Sequence, residues 1–110
     1  MKNYLMNLPF EVWEAVDGYN DYKVSNYGRV KSYKRNRERL LKPYRNTDNY
    51  LQITFCQDGS KKKFLLHRVI AETFLPNPLG KELISHRDGN IQNNSLDNLY
   101  YATTKEIHKN

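Results

Sequence analysis

The stretch from Leu83 to Thr103 limits the fold more than any other part of the chain. A short apolar run, Leu83-Ile84-Ser85, leads to His86. A polar loop follows, opened by Arg87-Asp88-Gly89-Asn90 and carrying Asn93, Asn94 and Asn98. Leu99-Tyr100-Tyr101-Ala102 then has β-type composition, and Thr103-Thr104-Lys105-Glu106 has helix formers. The pattern predicts a strand, a long structured loop, a second strand and the start of a helix. Asparagine suits such a loop because its side chain bonds nearby backbone groups and tolerates left-handed dihedrals. His86 falls where the first strand ends, beside the loop that must hold it.

The residues fit the string His-x-Asp-Gly-Asn-x-x-Asn-Asn-x-x-x-Asn-Leu at His86, Asp88, Gly89, Asn90, Asn93, Asn94, Asn98 and Leu99. That string resembles the core of the HNH endonuclease family, in particular the HNH homing endonucleases of phages and introns. The resemblance implies a ββα unit that holds one divalent metal ion, Mg or Mn, against a DNA phosphate. It also implies a reaction, metal-dependent phosphodiester hydrolysis in double-stranded DNA, as a nick or a cut. The family role of His86 is the general base. Imidazole suits it because its pKa lies near neutrality. The family role of Asn98 is to tie the loop and orient that histidine, using an amide that both donates and accepts.

The metal positions depart from the family. The resemblance places its ligands at Ser85 and Ile107. A neutral hydroxyl is a poor ligand for a hard divalent cation, and isoleucine is none. His108 and Asp88 are the remaining candidate ligands, with Glu106 a further oxygen donor. Ile107 and His108 are one residue, about 100°, apart on a helix, so both cannot face one site. Two readings stay open. One is an active nuclease whose metal is held by His108, by Asp88 or through waters. The other is a scaffold without the chemistry, acting as a DNA-binding or protein-binding module. A third class, an inhibitor or adaptor that uses no DNA, is opposed by the charge of the chain.

Upstream, Tyr22-Lys23-Val24-Ser25 and Arg29-Val30-Lys31-Ser32-Tyr33 alternate about the turn Asn26-Tyr27-Gly28. They predict a hairpin with Val24 and Val30 inward. Trp13, Gly18-Tyr19, Tyr22, Val24-Ser25-Asn26, Gly28, Val30 and Ser32 resemble the nuclease-associated modular domain (NUMOD-type) that precedes HNH cores. That resemblance implies a β-rich unit that helps hold DNA. The expected organisation is a module over residues 11–56 and an HNH-like ββα domain over residues 57–110.

Residues 31–45 are the most basic stretch: Lys31, Lys34, Arg35, Arg37, Arg39, Lys42 and Arg45 against Glu38 alone. They are expected to form a loop around a short Leu40-Leu41 strand and to track phosphates, since Lys and Arg contacts supply most non-specific affinity. Lys61, Lys62, Lys63 and Arg87 join them as candidate DNA contacts. The net charge of +6 and pI near 9.4 point to a polyanion, with nucleic acid ahead of a membrane surface.

Residues 50–55 alternate as a strand, and residues 63–66 return as its partner across the turn 57–60. His67 to Phe74 predicts a helix with Val69, Ile70 and Phe74 on one face, stopped by Pro76. His67 is expected to be structural, packed beside the strand-to-helix junction. The fold class expected is α+β: a β-rich N-terminal module, a hairpin, a short helix and a ββα-metal unit. Cys56 is the sole cysteine, which rules out an internal disulfide and a multi-cysteine zinc site. No apolar run approaches the roughly 18 residues that span a bilayer, and the start lacks a signal-peptide stretch. The expected location is therefore the cytoplasm of a bacterial host, with a phage origin implied by the resemblance.

Overall fold

A computed structural model describes residues 7–107. Strands β1 (Trp13–Val16), β2 (Tyr19–Ser25), β3 (Val30–Ser32) and β4 (Arg39–Leu41) form an antiparallel sheet in that order. Strands β5 (Tyr44–Arg45), β6 (Leu51–Gln57) and β7 (Ser60–Leu65) form a second sheet. Helix α1 (Leu66–Phe74) follows β7 directly. Strands β8 (Leu83–His86) and β9 (Leu99–Ala102) pair antiparallel, and a short helix α2 (Thr104–Ile107) ends the described chain. This is the expected α+β class, dominated by strands.

The expected β2–β3 hairpin forms with Val24 and Val30 inward, opposite each other and fully buried. Two features were not expected. Trp13–Val16 is a strand, with a register irregularity between Ala15 and Val16. The basic stretch is also more ordered than a loop: after β3, a 3-10 turn at Lys34–Asn36 leads into β4 and then β5.

One hydrophobic cluster joins both sheets to the helix. Val16, Tyr22, Val24 and Val30 meet Ile53, Phe55, Leu66, Val69, Ile70, Ala71 and Leu99. Phe55 is its centre, with ring centroids 4.4 Å from Tyr22 and 5.4 Å from Tyr19. Truncating such a side chain typically costs about 3–5 kcal/mol. The cluster draws on residues before and after position 56, and β6 itself runs to Gln57. The Tyr22 hydroxyl adds a polar tie, accepting the Cys56 N–H at 2.9 Å.

Helix α1 buries Leu66, His67, Val69, Ile70 and Ala71. It ends at Leu75, as expected for the residue before a proline. Arg68 pins it to the β8 approach by donating to the Glu82 carbonyl at 2.8 Å. His67 is thereby fixed on the inner face, opposite the end of β8.

Candidate active site

His86 is the last residue of β8 and pairs with Leu99. The loop between them is closed by side chains. Asn98 is buried; its Oδ1 accepts the Asp88 N–H at 3.1 Å, and its Nδ2 donates to Asp88 Oδ1 at 3.0 Å and to the Asn93 carbonyl at 2.8 Å. Asp88 also accepts from the Asn90 N–H at 2.8 Å and from Asn93 Nδ2 at 2.8 Å. These donors, the Asn93 amide first, then the Asn90 N–H and the Asn98 amide, hold the Asp88 carboxyl below its usual range.

The ring of His86 bonds to a different asparagine. Its Nε2 lies 2.9 Å from Asn94 Oδ1, and both residues are buried. A carbonyl oxygen only accepts, so in the neutral ring this contact puts the proton on Nε2 and leaves the lone pair on Nδ1. Asn98 thus clamps the loop, while Asn94 is the residue that orients the imidazole. Asn94 lies inside the matched string, but nothing in the sequence distinguishes it from its neighbours.

His67 and Tyr50 complete the wall. The His67 and His86 ring centroids are 5.0 Å apart, and Tyr50 lies 5.3 Å from His67 and 6.5 Å from His86. Burial first, then the neighbouring His86 and Arg68, pushes the His67 pKa down to about 4. His67 therefore remains neutral at physiological pH. It is packed beside the candidate base, a proximity that the 19-residue separation in sequence does not reveal.

Among the described residues, those expected to hold a divalent cation do not fit one. Ser85 offers a hydroxyl, and Ile107 is a partly exposed apolar side chain. Asp88 is committed to three loop amides. Glu106 accepts the Thr103 N–H at 2.8 Å while the Thr103 hydroxyl accepts the Glu106 N–H at 3.1 Å, a capping box that starts α2. Lys81 pairs with the same carboxylate at 3.0 Å. Asn94 Nδ2, buried and without a partner among the described residues, is a donor and cannot ligate. No three His, Cys, Asp or Glu side chains among the described residues come together as a metal site. His108, the other expected ligand, lies outside the described residues.

The candidate DNA contacts separate into groups. Lys31 leaves the set. It is 4 % exposed, its ammonium 2.8 Å from Glu38 and 4.2 Å from the Trp13 ring centre. Its strand lies between β2 and β4, so its charge is spent inside the module. Lys34 is half-buried and pairs with Asp21 at 3.1 Å. Arg35, Arg37, Arg39 and Lys42 are exposed around the 3-10 turn and β4. Arg45 and Lys63 line one groove with Tyr44 and Gln52. Lys61 and Lys62 are exposed beside it on β7. Arg87 is exposed, with its guanidinium 4.9 Å from the Tyr100 ring centre.

Residues 11–56 match the NUMOD4 motif, and residues 64–109 match the HNH endonuclease family. Over residues 64–109 the chain is similar to the HNH endonucleases. It is 36% identical over 104 residues to the H-N-H endonuclease F-TflII of Escherichia phage T5, covering 93% of this chain and 52% of that protein. It is 35% identical over 94 residues to the DNA endonuclease I-HmuI of Bacillus phage SP01, covering 84% of this chain and 53% of the relative. The solved structure of I-HmuI, described as an HNH homing endonuclease that binds and cleaves DNA, superimposes with a TM-score of 0.78. That match has 35% identity and covers 87% of this chain and 55% of that one. An uncharacterized HNH endonuclease of Acanthamoeba polyphaga mimivirus is 33% identical over 91 residues, 27% of its own length. The chain thus spans about half, or less, of these curated relatives. No described helix is long and apolar enough to cross a membrane.

Proposed function

We propose that this chain binds double-stranded DNA and hydrolyses a phosphodiester in it, with His86 as the general base. One observation carries the reading: the His86 Nε2 lies 2.9 Å from Asn94 Oδ1, which in the neutral ring leaves Nδ1 as the basic nitrogen. An imidazole so fixed can take a proton from an attacking water. DNA is gripped through its phosphates by Arg35, Arg37 and Arg39 on the module, by Arg45 and Lys63 in their groove, and by Lys61, Lys62 and Arg87. The relative I-HmuI is a DNA endonuclease, and the positive charge of this chain agrees with a polyanionic partner.

A second reading has its own support. The ligand positions hold Ser85 and Ile107, and Asp88 and Glu106 are occupied by loop and helix-cap bonds. On that reading the chain binds DNA and does not cut it. Supercoiled plasmid incubated with Mg or Mn, beside a salt titration of duplex binding, separates the two. Conversion to the nicked form supports the nuclease. Salt-sensitive binding without conversion supports the second reading, and absence of salt-sensitive binding removes both.

A further inference from the structure

The turn between β2 and β3 does more than close a hairpin. Asn26 accepts the Leu96 N–H on its backbone carbonyl at 2.7 Å, and the Ser95 hydroxyl reaches the same oxygen at 3.4 Å. The side chain of Asn26 is anchored in turn, its Oδ1 accepting the Val12 N–H at 2.8 Å and its Nδ2 donating to the Phe10 carbonyl at 3.2 Å. Two residues on, Gly28 adopts φ +84°, and a Cβ built there would stand 2.9 Å from the Asn94 carbonyl oxygen and 3.1 Å from its carbon. The N-terminal module therefore approaches the backbone of the residue that is hydrogen-bonded to the His86 ring.

We infer that the Asn26–Gly28 turn is a positioning element for His86, acting through Asn94. The glycine is needed twice, for its left-handed backbone and for the space that the Asn94 peptide fills. The hydrogen bond from Leu96 fixes the loop against the turn, so that the Asn94 amide meets the imidazole at bonding distance. The module then contributes to chemistry as well as to DNA affinity. The inference rests on the reading of His86 as the base, and the tautomer of its ring can be read whether or not the chain cuts DNA.

Gly18 supplies the control. It lies in the same module at φ +83°, and a Cβ there would meet nothing within 4 Å. Gly18→Ala thus carries the dihedral strain without pressing on Asn94. The probe is histidine labelled with 15N, read by two-bond proton–nitrogen correlation and assigned through His86→Gln. Wild type should show His86 as the Nε2-protonated tautomer. Gly28→Ala should move its ring nitrogens toward a mixture of tautomers, while Gly18→Ala leaves them in place. If the chain nicks DNA, Gly28→Ala should also lower kcat by about tenfold or more with duplex affinity unchanged, because a misplaced base costs rate rather than binding.

Should Gly28→Ala fail to fold, Leu96→Pro removes the N–H that Asn26 accepts. Ser95 has φ −62° and ψ 139°, which a following proline favours, and position 96 opens a 3-10 turn where proline is tolerated. The same shift of the His86 signals is expected. Superimposable His86 signals in wild type and in whichever variant folds would overturn the inference. An equal shift in Gly18→Ala would also overturn it. Absence of nicking in wild type would count against the nuclease reading alone, since the imidazole signals report the coupling directly.

Discussion

His67 and His86 sit edge to face, their ring centroids 5.0 Å apart and their planes 63° apart. Burial, with the neighbouring ring and Arg68, keeps His67 neutral with a pKa of about 4 against 6.5 for the free side chain. Between those values the unfolded chain binds a proton that the folded chain excludes. Stability is therefore highest above pH 6.5 and falls as pH drops toward 4. Urea unfolding at pH 7.5 and at pH 5 should show a loss of roughly 1–2 kcal/mol in wild type. His67→Phe fills the site without titrating and should lose less. Equal losses would show that His67 is solvated.

Charge on the N-terminal module divides into structural and available groups. Lys31→Ala removes a buried stem from the Trp13 ring and an ion pair with Glu38, and should cost about 1–3 kcal/mol. It should leave the salt dependence of DNA binding unchanged. The opposite is expected of Arg35→Asn, Arg37→Ala and Arg39→Ala combined. Asparagine is chosen at position 35 because φ there is +58°. Removing one phosphate-binding cation lowers the slope of log affinity against log salt by about 0.9. A calorimetric melt and a binding titration on both proteins check the division.

Asn98 and Asn94 should fail in different ways. Asn98→Ala deletes three side-chain hydrogen bonds that close the loop and should lower stability by about 2–3 kcal/mol. Asn94→Ala removes the hydrogen-bond partner of His86 Nε2. It should reduce cleavage by about tenfold or more while shifting the melting temperature less than Asn98→Ala does. Thermal melts beside nicking rates of the two variants test this. The reverse ranking would give Asn98 the orienting role.

The ligand positions make a separate prediction. Ser85→Asp with Ile107→Asn places two oxygen donors at the positions where the resemblance expects the ligands, on a partly buried strand residue and an exposed helix residue. Calorimetric titration with Mn should show tighter binding than in wild type, and nicking should rise with it. Adding His86→Ala should abolish the gain in nicking and keep the gain in Mn binding. No change in Mn affinity would mean that the two positions do not face one site.

Much of the fold was legible in the sequence because the local signals agreed. Val24 and Val30 alternate about a turn with glycine, and Val69 and Ile70 share a helix face that Pro76 ends. The His86–Leu99 string carries its own loop chemistry in Asp88, Asn93 and Asn98. Other features depended on tertiary packing. Trp13–Val16 buries only Val16, so its pattern does not alternate as a strand. Tyr44–Arg45 is too short to signal itself. Lys31 reads as surface charge until two neighbouring strands and Trp13 cover it. The His67–His86 contact and the Gly28–Asn94 approach link residues 19 and 66 positions apart in the chain, respectively, where no local period points.

The most direct measurement is single-turnover nicking of duplex DNA by wild type and by His86→Ala, with duplex affinity measured on both. The substitution is expected to lower the rate by about 10²–10⁴-fold and to leave affinity within about twofold, as loss of a general base does. Cleavage by His86→Ala at the wild-type rate would contradict the assignment of His86 as the base.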